Sequence, residues 1–379
     1  MPGRGVNLRD SIPGALAGRR ANILHAIPVS CLSVSTPTAF QTLATGSALG
    51  LGGAPLGNLF RAIADDDAVA LIRHAYDQGV RYFDTAPHYG QGLSERRFGT
   101  ALRGLPRDSY LLSTKVGRLL TAAANAPRSQ NGYVDVLPFV QHYDYTGDGV
   151  RRSLDDSLQR MDVTRIDFVY VHDIDVATHG DAHPQRFRDM LEGGLPALAQ
   201  LKAAGVIGGY GLGVNGVEIC LDTLRHADLD VILLAGRYTL ADQSALAELL
   251  PECVRREVAI ILGGPFNSGI LASGSRPADG SRPWFNYAPA TDDVVARIAA
   301  IEAVGADFDV PLKAAALQFP TGHPAVACVL PGARSRAEFD DNAAMAAFPI
   351  PPAYWRSLRD RALIALSAPL PGIVTDMRR

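Results

Sequence analysis

Four side chains in this sequence are of the types that move protons, and each stands at or just beyond the end of an apolar run: Asp84, Tyr89, Lys115 and His172. Residues 79–90 read Gly-Val-Arg-Tyr-Phe-Asp-Thr-Ala-Pro-His-Tyr-Gly. An apolar strand there runs out at Asp84, and Pro87 and Gly90 then turn the chain, which puts Tyr89 on the loop above the strand end. A free phenol titrates near ~10, so acid or base work near neutrality calls for a cation that stabilises the phenolate. That cation, if buried, calls for a carboxylate of its own. Lys115 follows Leu111-Leu112-Ser113-Thr114, and His172 follows Phe168-Val169-Tyr170-Val171. A lysine directly after a buried strand is costly to desolvate unless paired, and Asp84 on the neighbouring strand is the expected partner. Taken singly, Lys115 also reads as a structural ion pair and His172 as a hydrogen-bonded core histidine. The joint placement of all four on one rim is what points to proton transfer.

The elements that must position these groups follow from the alternation of short β-rich apolar runs with amphipathic stretches. Strands are predicted at 48–51, 80–83, 110–113, 167–171, 208–212, 231–234, 259–262 and 326–330. Between them, Asp65 to Asp67 open a helix with Val69, Ile72 and Tyr76 on its apolar face and Gly79 at its end. Ser94-Glu95 opens the next, which Gly104 closes, and Leu195, Leu198 and Leu201 line a helix that stops at Gly205. Eight strands each followed by a helix predict an α/β fold, a single (β/α)8 TIM barrel, with a doubly wound sheet as the alternative. Two connections are long for simple turns, residues 117–149 after the third strand and 263–290 after the seventh. In a barrel they stand on the face that carries active sites. Their aromatics, Tyr133, Phe139, Tyr143 and Tyr145 in the first and Trp284, Phe285 and Tyr287 in the second, are candidate pocket walls or simple loop packing.

Composition narrows the class. With 379 residues, 47% hydrophobic and 20% charged content, and a mean hydropathy of +0.06, the chain has the make-up of a soluble globular protein. A formal net charge of -3 and isolated basic pairs (Arg96-Arg97, Arg151-Arg152, Arg378-Arg379) give no nucleic-acid face. No apolar run has the ~18–20 residues of a membrane span. Cys31, Cys220, Cys253 and Cys328 lie far apart without a Cys-x-x-Cys, which fits a reducing cytoplasm. Residues 1–40 have arginines before a moderately apolar segment, but Asn22, His25 and Pro28 interrupt it and no clean cleavage site follows. They are expected to be a poorly ordered extension, with the barrel over 41–379. A monomer or weak homo-oligomer is expected.

Here the motifs carry a family resemblance. Phe83-Asp84-Thr85-Ala86-Pro87-His88-Tyr89-Gly90 with Ser94-Glu95 behind it, Ser113-Thr114-Lys115 and Val171-His172-Asp173 resemble the aldo-keto reductases. So does Leu330-Pro331-Gly332-Ala333-Arg334-Ser335 through Asn342, which is similar to that family's adenosine-side segment. The resemblance spans about residues 49–370 and implies a (β/α)8 barrel that uses a nicotinamide cofactor with a catalytic tetrad at Asp84, Tyr89, Lys115 and His172. The run Gly52-Gly53-Ala54-Pro55-Leu56-Gly57-Asn58-Leu59, the stretch from Tyr145 to Leu154, and His172-Asp173-Ile174-Asp175 are most similar to the aldose dehydrogenase branch. That branch includes L-fucose, D-threo-aldose and L-galactose dehydrogenases and pyridoxal 4-dehydrogenase. The implied reaction oxidises the C1 hydroxyl of an aldose to a lactone, or works as a general aldehyde or ketone reductase. Tyr89 would be the acid/base, Lys115 would favour its phenolate, Asp84 would hold Lys115, and His172 would bind the reacting oxygen.

Gly50-Leu51-Gly52-Gly53-Ala54-Pro55 puts Pro55 where a dinucleotide fingerprint needs its third glycine, so it is not a Rossmann loop. The resemblance instead distributes cofactor contacts over Gly53, Asn58, Gly213, Asn215, Phe266, Asn267, Ser268, Gly269, Gly332, Arg334, Ser335, Glu338 and Asn342. Two departures stand out. The family's nicotinamide-stacking Tyr is replaced around Gly263-Gly264-Pro265-Phe266, and Glu338 stands where members selective for NADP often place Arg. A carboxylate there repels a 2'-phosphate, so NAD is expected, with NADP the alternative. Two other classes compete: a metal-dependent hydrolase on the same barrel, using the His172, Asp173, Asp175, His179, Asp181 and His183 cluster, and an idle barrel acting as a regulatory subunit. Metal sites in barrels draw ligands from several strand ends, so a cluster after one strand reads as a polar loop.

Overall fold

The computed structural model describes residues 48–372, so the expectations for residues 1–40 and for the start of the barrel at 41 lie outside the described residues. All eight expected strands form, within a few residues of their sequence-derived bounds. They are β1 (Leu51–Gly52), β2 (Tyr82–Asp84), β3 (Leu111–Val116), β4 (Ile166–His172), β5 (Ile207–Val214), β6 (Val231–Ala235), β7 (Ala259–Gly263) and β8 (Val326–Leu330). Neighbours in this order pair in parallel. Parallel bridges Leu49 to Val329 and Gly52 to Gly332 then join the first strand to the last. That closure excludes the doubly wound sheet, whose edge strands stay apart.

Period-two alternation sorts each strand into an inward and an outward set. Tyr82, Leu111, Phe168, Tyr170, Val231, Leu233, Ala259, Ile261, Cys328 and Leu330 fill the barrel interior. The outward set, such as Phe83, Leu112, Val169 and Val171, packs with the helices into the larger surrounding core. Continuing the inward phase by two residues past Tyr82, Ser113 and Tyr170 arrives at Asp84, Lys115 and His172. The alternation that builds the core therefore also delivers three polar side chains to its upper end.

The helices flank this barrel from outside. Asp65–Asp77 carries three aspartates in its first turn, where the helix dipole favours them, and buries Ala68, Leu71, Ile72 and Ala75. Val69 and Tyr76 only border that face, so the apolar stripe is rotated from the one expected. Leu93–Leu102 starts one residue before Ser94-Glu95 and stops ahead of Gly104 (φ +80°). It packs closely on Gly147–Met161: a Cβ on Gly99 would stand 2.3 Å from the Met161 carbonyl oxygen. Both long connections are ordered. The third loop contains the antiparallel pair Arg118–Ala122 and Phe139–Tyr143, and its last residues belong to the Gly147–Met161 helix. The seventh contains the short pair Trp284–Phe285 and Ala288–Pro289.

Candidate active site

Asp84 ends β2 in register with Ser113 of β3, and Lys115 lies two residues further along β3 on the same inward face. Lys115 Nζ donates to Asp84 Oδ2 at 2.7 Å and to the Thr85 carbonyl at 2.9 Å, with both charged side chains about 2% exposed. Beneath them the phenol oxygens of Tyr82 and Tyr170 are 2.7 Å apart, Tyr82 reaches Ser113 Oγ at 2.9 Å, and Ser113 donates to Asp84 Oδ1 at 2.8 Å. Both carboxylate oxygens of Asp84 are thus occupied by donors. The long lysine stem fits because β5 opposes it with glycine: a Cβ on Gly213 would come within 3.4 Å of Lys115 Cδ and Cε.

Tyr89 sits on the loop after β2, partly exposed, and Lys115 Nζ lies 4.6 Å from its ring centroid. The His172 ring meets Tyr89 edge-on, centroids 6.0 Å apart and planes at 87°. Tyr133 from the third loop stacks on Tyr89 at 6.1 Å. His88 packs edge-on against both Tyr133 and His172. The phenol oxygen of Tyr89 has no hydrogen-bond partner among the described residues, which leaves it free for a reacting oxygen.

The loop after β3 contributes more than aromatic walls. Arg118 Nη2 donates to Asp173 Oδ2 at 2.5 Å, and Asp173 Oδ2 lies 3.4 Å from His172 Nε2. Tyr145, fully buried, donates its hydroxyl to the His172 carbonyl at 2.8 Å and pairs with His179 Nε2 at 2.9 Å. Tyr143 receives a hydrogen bond from Arg118 Nη1 at 3.0 Å. These tyrosines anchor the loop to the end of β4, while Phe139 and Phe285 are partly buried and Trp284 is exposed.

Burial sets the protonation states. It holds His172 well below 6.5, reinforced by Arg118, Lys115 and His88, and holds His88 at about 3, reinforced by Arg118. His172 is therefore a neutral imidazole, with Asp173 Oδ2 beside its Nε2. Burial also raises Tyr89 well above 10, helped by Asp84, Asp173 and Tyr287, with Arg118 opposing. Lys115 donates to Asp84 and the Thr85 carbonyl while its Nζ faces the Tyr89 ring, and the resting phenol stays protonated at neutral pH.

The residues expected on the cofactor side divide into two groups. Gly53 is packed inside: a Cβ would stand 2.6 Å from the Asp84 carbonyl and 2.7 Å from Phe98 and Ser94. Asn58 (φ +71°) accepts from Ile63 N and Arg97 Nη1, tying the loop after β1 together. Asn267, also buried, donates to the Gly236 carbonyl at 3.0 Å and to Asn286 Oδ1 at 2.9 Å. The side-chain oxygen of Asn58 and both polar ends of Asn267 are thus engaged internally. The other group follows the ends of β5, β7 and β8: Gly213 and Asn215, then Phe266, Ser268 and Gly269, then Gly332, Arg334, Ser335, Glu338 and Asn342. Ser335 caps the Arg336–Ala346 helix by accepting from Glu338 N, and Glu338 accepts from Arg334 N at 2.9 Å. Asn342 donates to the Gly332 carbonyl at 3.3 Å and leaves its own Oδ1 buried without a partner. Exposed Tyr287 bridges this side, accepting from Asn215 Nδ2 at 3.2 Å while its backbone N–H donates to Ser268 Oγ at 2.8 Å.

The metal cluster does not assemble. Asp175 caps residues 176–179 and His179 is taken by Tyr145, and no group of three metal-binding side chains is present among the described residues. Arg118, Gln141 and His88 were not singled out from sequence. A second cation three residues past Lys115 was the available signal.

A closed parallel barrel with a Tyr, Lys, Asp and His gathered at the C-terminal strand ends defines a class of barrel built for acid/base chemistry. Comparison with known proteins gives the family: residues 48–361 match the aldo/keto reductase family, and the chain belongs to it. It is 43% identical over 335 residues to pyridoxal 4-dehydrogenase of Microbacterium luteolum, covering 86% of this chain and 96% of that protein. It is 39% identical over 342 residues to D-threo-aldose 1-dehydrogenase of a Pseudomonas species, covering 88% and 99%. Among solved structures, an aldo-keto reductase from Bacillus halodurans superposes with a TM-score of 0.63 at 23% identity over 88% of this chain and 95% of that one, which supports the fold. Family membership makes the chain an oxidoreductase that works with a nicotinamide cofactor. No described helix is long and apolar enough to cross a membrane.

Proposed function

We propose that this protein oxidises the C1 hydroxyl of an aldose of the L-fucose or D-threo-aldose type to the lactone, with Tyr89 as the acid/base. The observation that carries the reading is the unpartnered Tyr89 phenol between the Lys115–Asp84 pair and the neutral His172 ring. The residues at the ends of β5, β7 and β8 fit a dinucleotide: Gly213 beside Lys115, Asn215 next to Tyr287, the Arg334–Ser335 turn at a helix N-terminus, and Asn342 with a buried acceptor free for an amine. When bound, the nicotinamide supplies the hydride chemistry. Glu338 beside Arg334 favours NAD over NADP, since its carboxylate opposes a second phosphate there.

In oxidation the substrate hydroxyl proton passes to Tyr89, and in reduction Tyr89 returns it to the developing alkoxide. His172, neutral, donates a hydrogen bond to the reacting oxygen, and Lys115, fixed by Asp84, stabilises the phenolate while it exists. Because the resting phenol is protonated, oxidation requires its proton to leave first. The rate of oxidation should therefore rise with pH through the neutral and alkaline range, while reduction should hold level until the phenol begins to titrate in the alkaline range.

A second reading, pyridoxal as substrate, is favoured by the 43% identical relative. An aldose and pyridoxal both present an aldehyde that can close on a neighbouring hydroxyl, so one acid/base centre serves either. A cytoplasmic setting fits the free Cys220, Cys253 and Cys328, and we expect a monomer or weak homo-oligomer. The test is a panel of aldoses, pyridoxal and simple aldehydes assayed with NAD and NADP, following reduced nicotinamide and lactone. Highest kcat/KM for an aldose with NAD is the expected result. Turnover of pyridoxal alone would select the second reading, and no turnover by folded protein that binds cofactor would overturn both.

A further inference from the structure

Lys115 is not the only cation at this centre. Arg118, three residues on and first in the Arg118–Ala122 strand, is 7% exposed, and three acceptors hold its guanidinium: Asp173 at 2.5 Å, the Tyr143 hydroxyl at 3.0 Å and Gln141 Oε1 at 3.3 Å. The Tyr143 ring lies 4.8 Å from its central carbon. Gln141 Oε1 also stands 3.0 Å from His88 Nδ1, and the His88 ring packs on Tyr89 and His172. On the other side, the Asp173 oxygen that binds Arg118 is the one 3.4 Å from His172 Nε2. Asp173 adopts a left-handed backbone (φ +47°), and its N–H donates to the Gly213 carbonyl at 3.0 Å. A non-glycine residue there is strained, and such strain persists only where surrounding contacts fix it.

Burying a guanidinium and a carboxylate together is a poor way to pin a loop, because desolvation costs several kcal/mol per ion and apolar side chains would do the same work. The pair touches both the proton-donating histidine and the hairpin that covers the acid/base tyrosine. We propose that Arg118 and Asp173 are positioning residues of the reaction centre: Asp173, clamped by Arg118, orients the His172 ring against Tyr89. The proposal rests on Tyr89 being the proton-transfer group. The charged and titratable groups around that phenol are Asp84 and Lys115 from β2 and β3, His88 on its own loop, Arg118 and Tyr133 from the third loop, His172 and Asp173 at the end of β4, and Tyr287 from the seventh loop. Arg118 and Lys115 favour the phenolate, while Asp84 and Asp173 oppose it.

The two members therefore act with opposite sign, which a merely structural role does not produce. The experiment is the pH profile of kcat/KM for oxidation in the wild type, Arg118→Met, Arg118→Lys and Asp173→Asn, with cofactor affinity followed by protein fluorescence. Arg118→Met should move the alkaline limb up by about one pH unit, Asp173→Asn should move it down by a similar amount, and Arg118→Lys should stay near the wild type. Cofactor affinity should hold in all of them. Loss of rate with the limb unmoved, or both variants moving it the same way, would overturn the proposal. If Arg118→Met fails to fold, the Asp173→Asn limb decides alone: downward supports, unmoved or upward overturns. Failure of the underlying reading is separate, because it shows as undiminished turnover in Tyr89→Phe.

Discussion

Lys115 is 1% exposed at the top of a barrel whose lower layers are tyrosine, leucine and isoleucine. Nothing in its local sequence tolerates a buried ammonium. What tolerates it is Asp84 on the adjacent strand, itself held by Ser113 and, through Ser113, by the Tyr82–Tyr170 pair. Lys115→Met should therefore destabilise the fold as well as stop turnover, since it strands a buried carboxylate: a loss of about 3–5 kcal/mol in denaturant unfolding is expected. A stability within error of the wild type would mean that Asp84 is neutral or solvated in the folded protein. The identity of these residues was legible in sequence, because a lysine and a histidine each continue an apolar strand. The resting state of Tyr89 was not, because its burial and the neighbouring Asp84, Asp173 and Tyr287 side chains bring together the segments after β2, β4 and β7.

At the scale of elements, the motif Ser94-Glu95 turns out to be a clamp on the scaffold. Glu95, fully buried, accepts from Thr114 of β3 at 2.7 Å and from Arg160 of the Gly147–Met161 helix at 2.6 Å, and Ser94 bonds the Gly53 carbonyl and Thr85. One turn of helix thus fixes β1, the loop after β2, β3 and the next helix relative to one another. Glu95→Ala should cost about 3–5 kcal/mol by leaving Arg160 unpaired in a mostly buried site, and Gly99→Ala about 1–3 kcal/mol by forcing Met161 away. Thermal unfolding measures both, and unchanged midpoints would remove the clamp. Strand positions were legible because a strand buried on both faces reads as a short continuous apolar run, as in Leu111-Leu112 and Phe168-Val169-Tyr170-Val171. The hairpin inside the third loop was not, because neither Arg118–Ala122 nor Phe139–Tyr143 is a continuous apolar run, and the pair is fixed by Tyr145 and Asp173 from elsewhere.

Across the whole molecule, buried histidines couple stability to pH. His88 is held at about 3 and His323 at about 4 by burial, with His323 Nδ1 accepting from the Ala325 N–H at 3.2 Å, and His172 and His179 are lowered as well. The unfolded chain binds protons at these sites below 6.5 and the folded chain does not, so their contribution is complete above 6.5 and is lost as pH falls toward 3 to 4. Asp84 and Asp173, raised by burial, act in the opposite direction over the acidic range. With four histidines against two carboxylates, the melting temperature should fall between pH 7 and pH 5, and a flat or rising profile would contradict this balance. The same closed barrel that keeps these groups dry brings β2, β3 and β4 to one rim, and the reaction follows from that convergence. Its most direct test is Tyr89→Phe, measured for turnover and for cofactor affinity on the same preparation. Oxidation reduced by about 10²-fold or more with cofactor binding retained is the expected result; turnover equal to the wild type would contradict Tyr89 as the group that carries the proton.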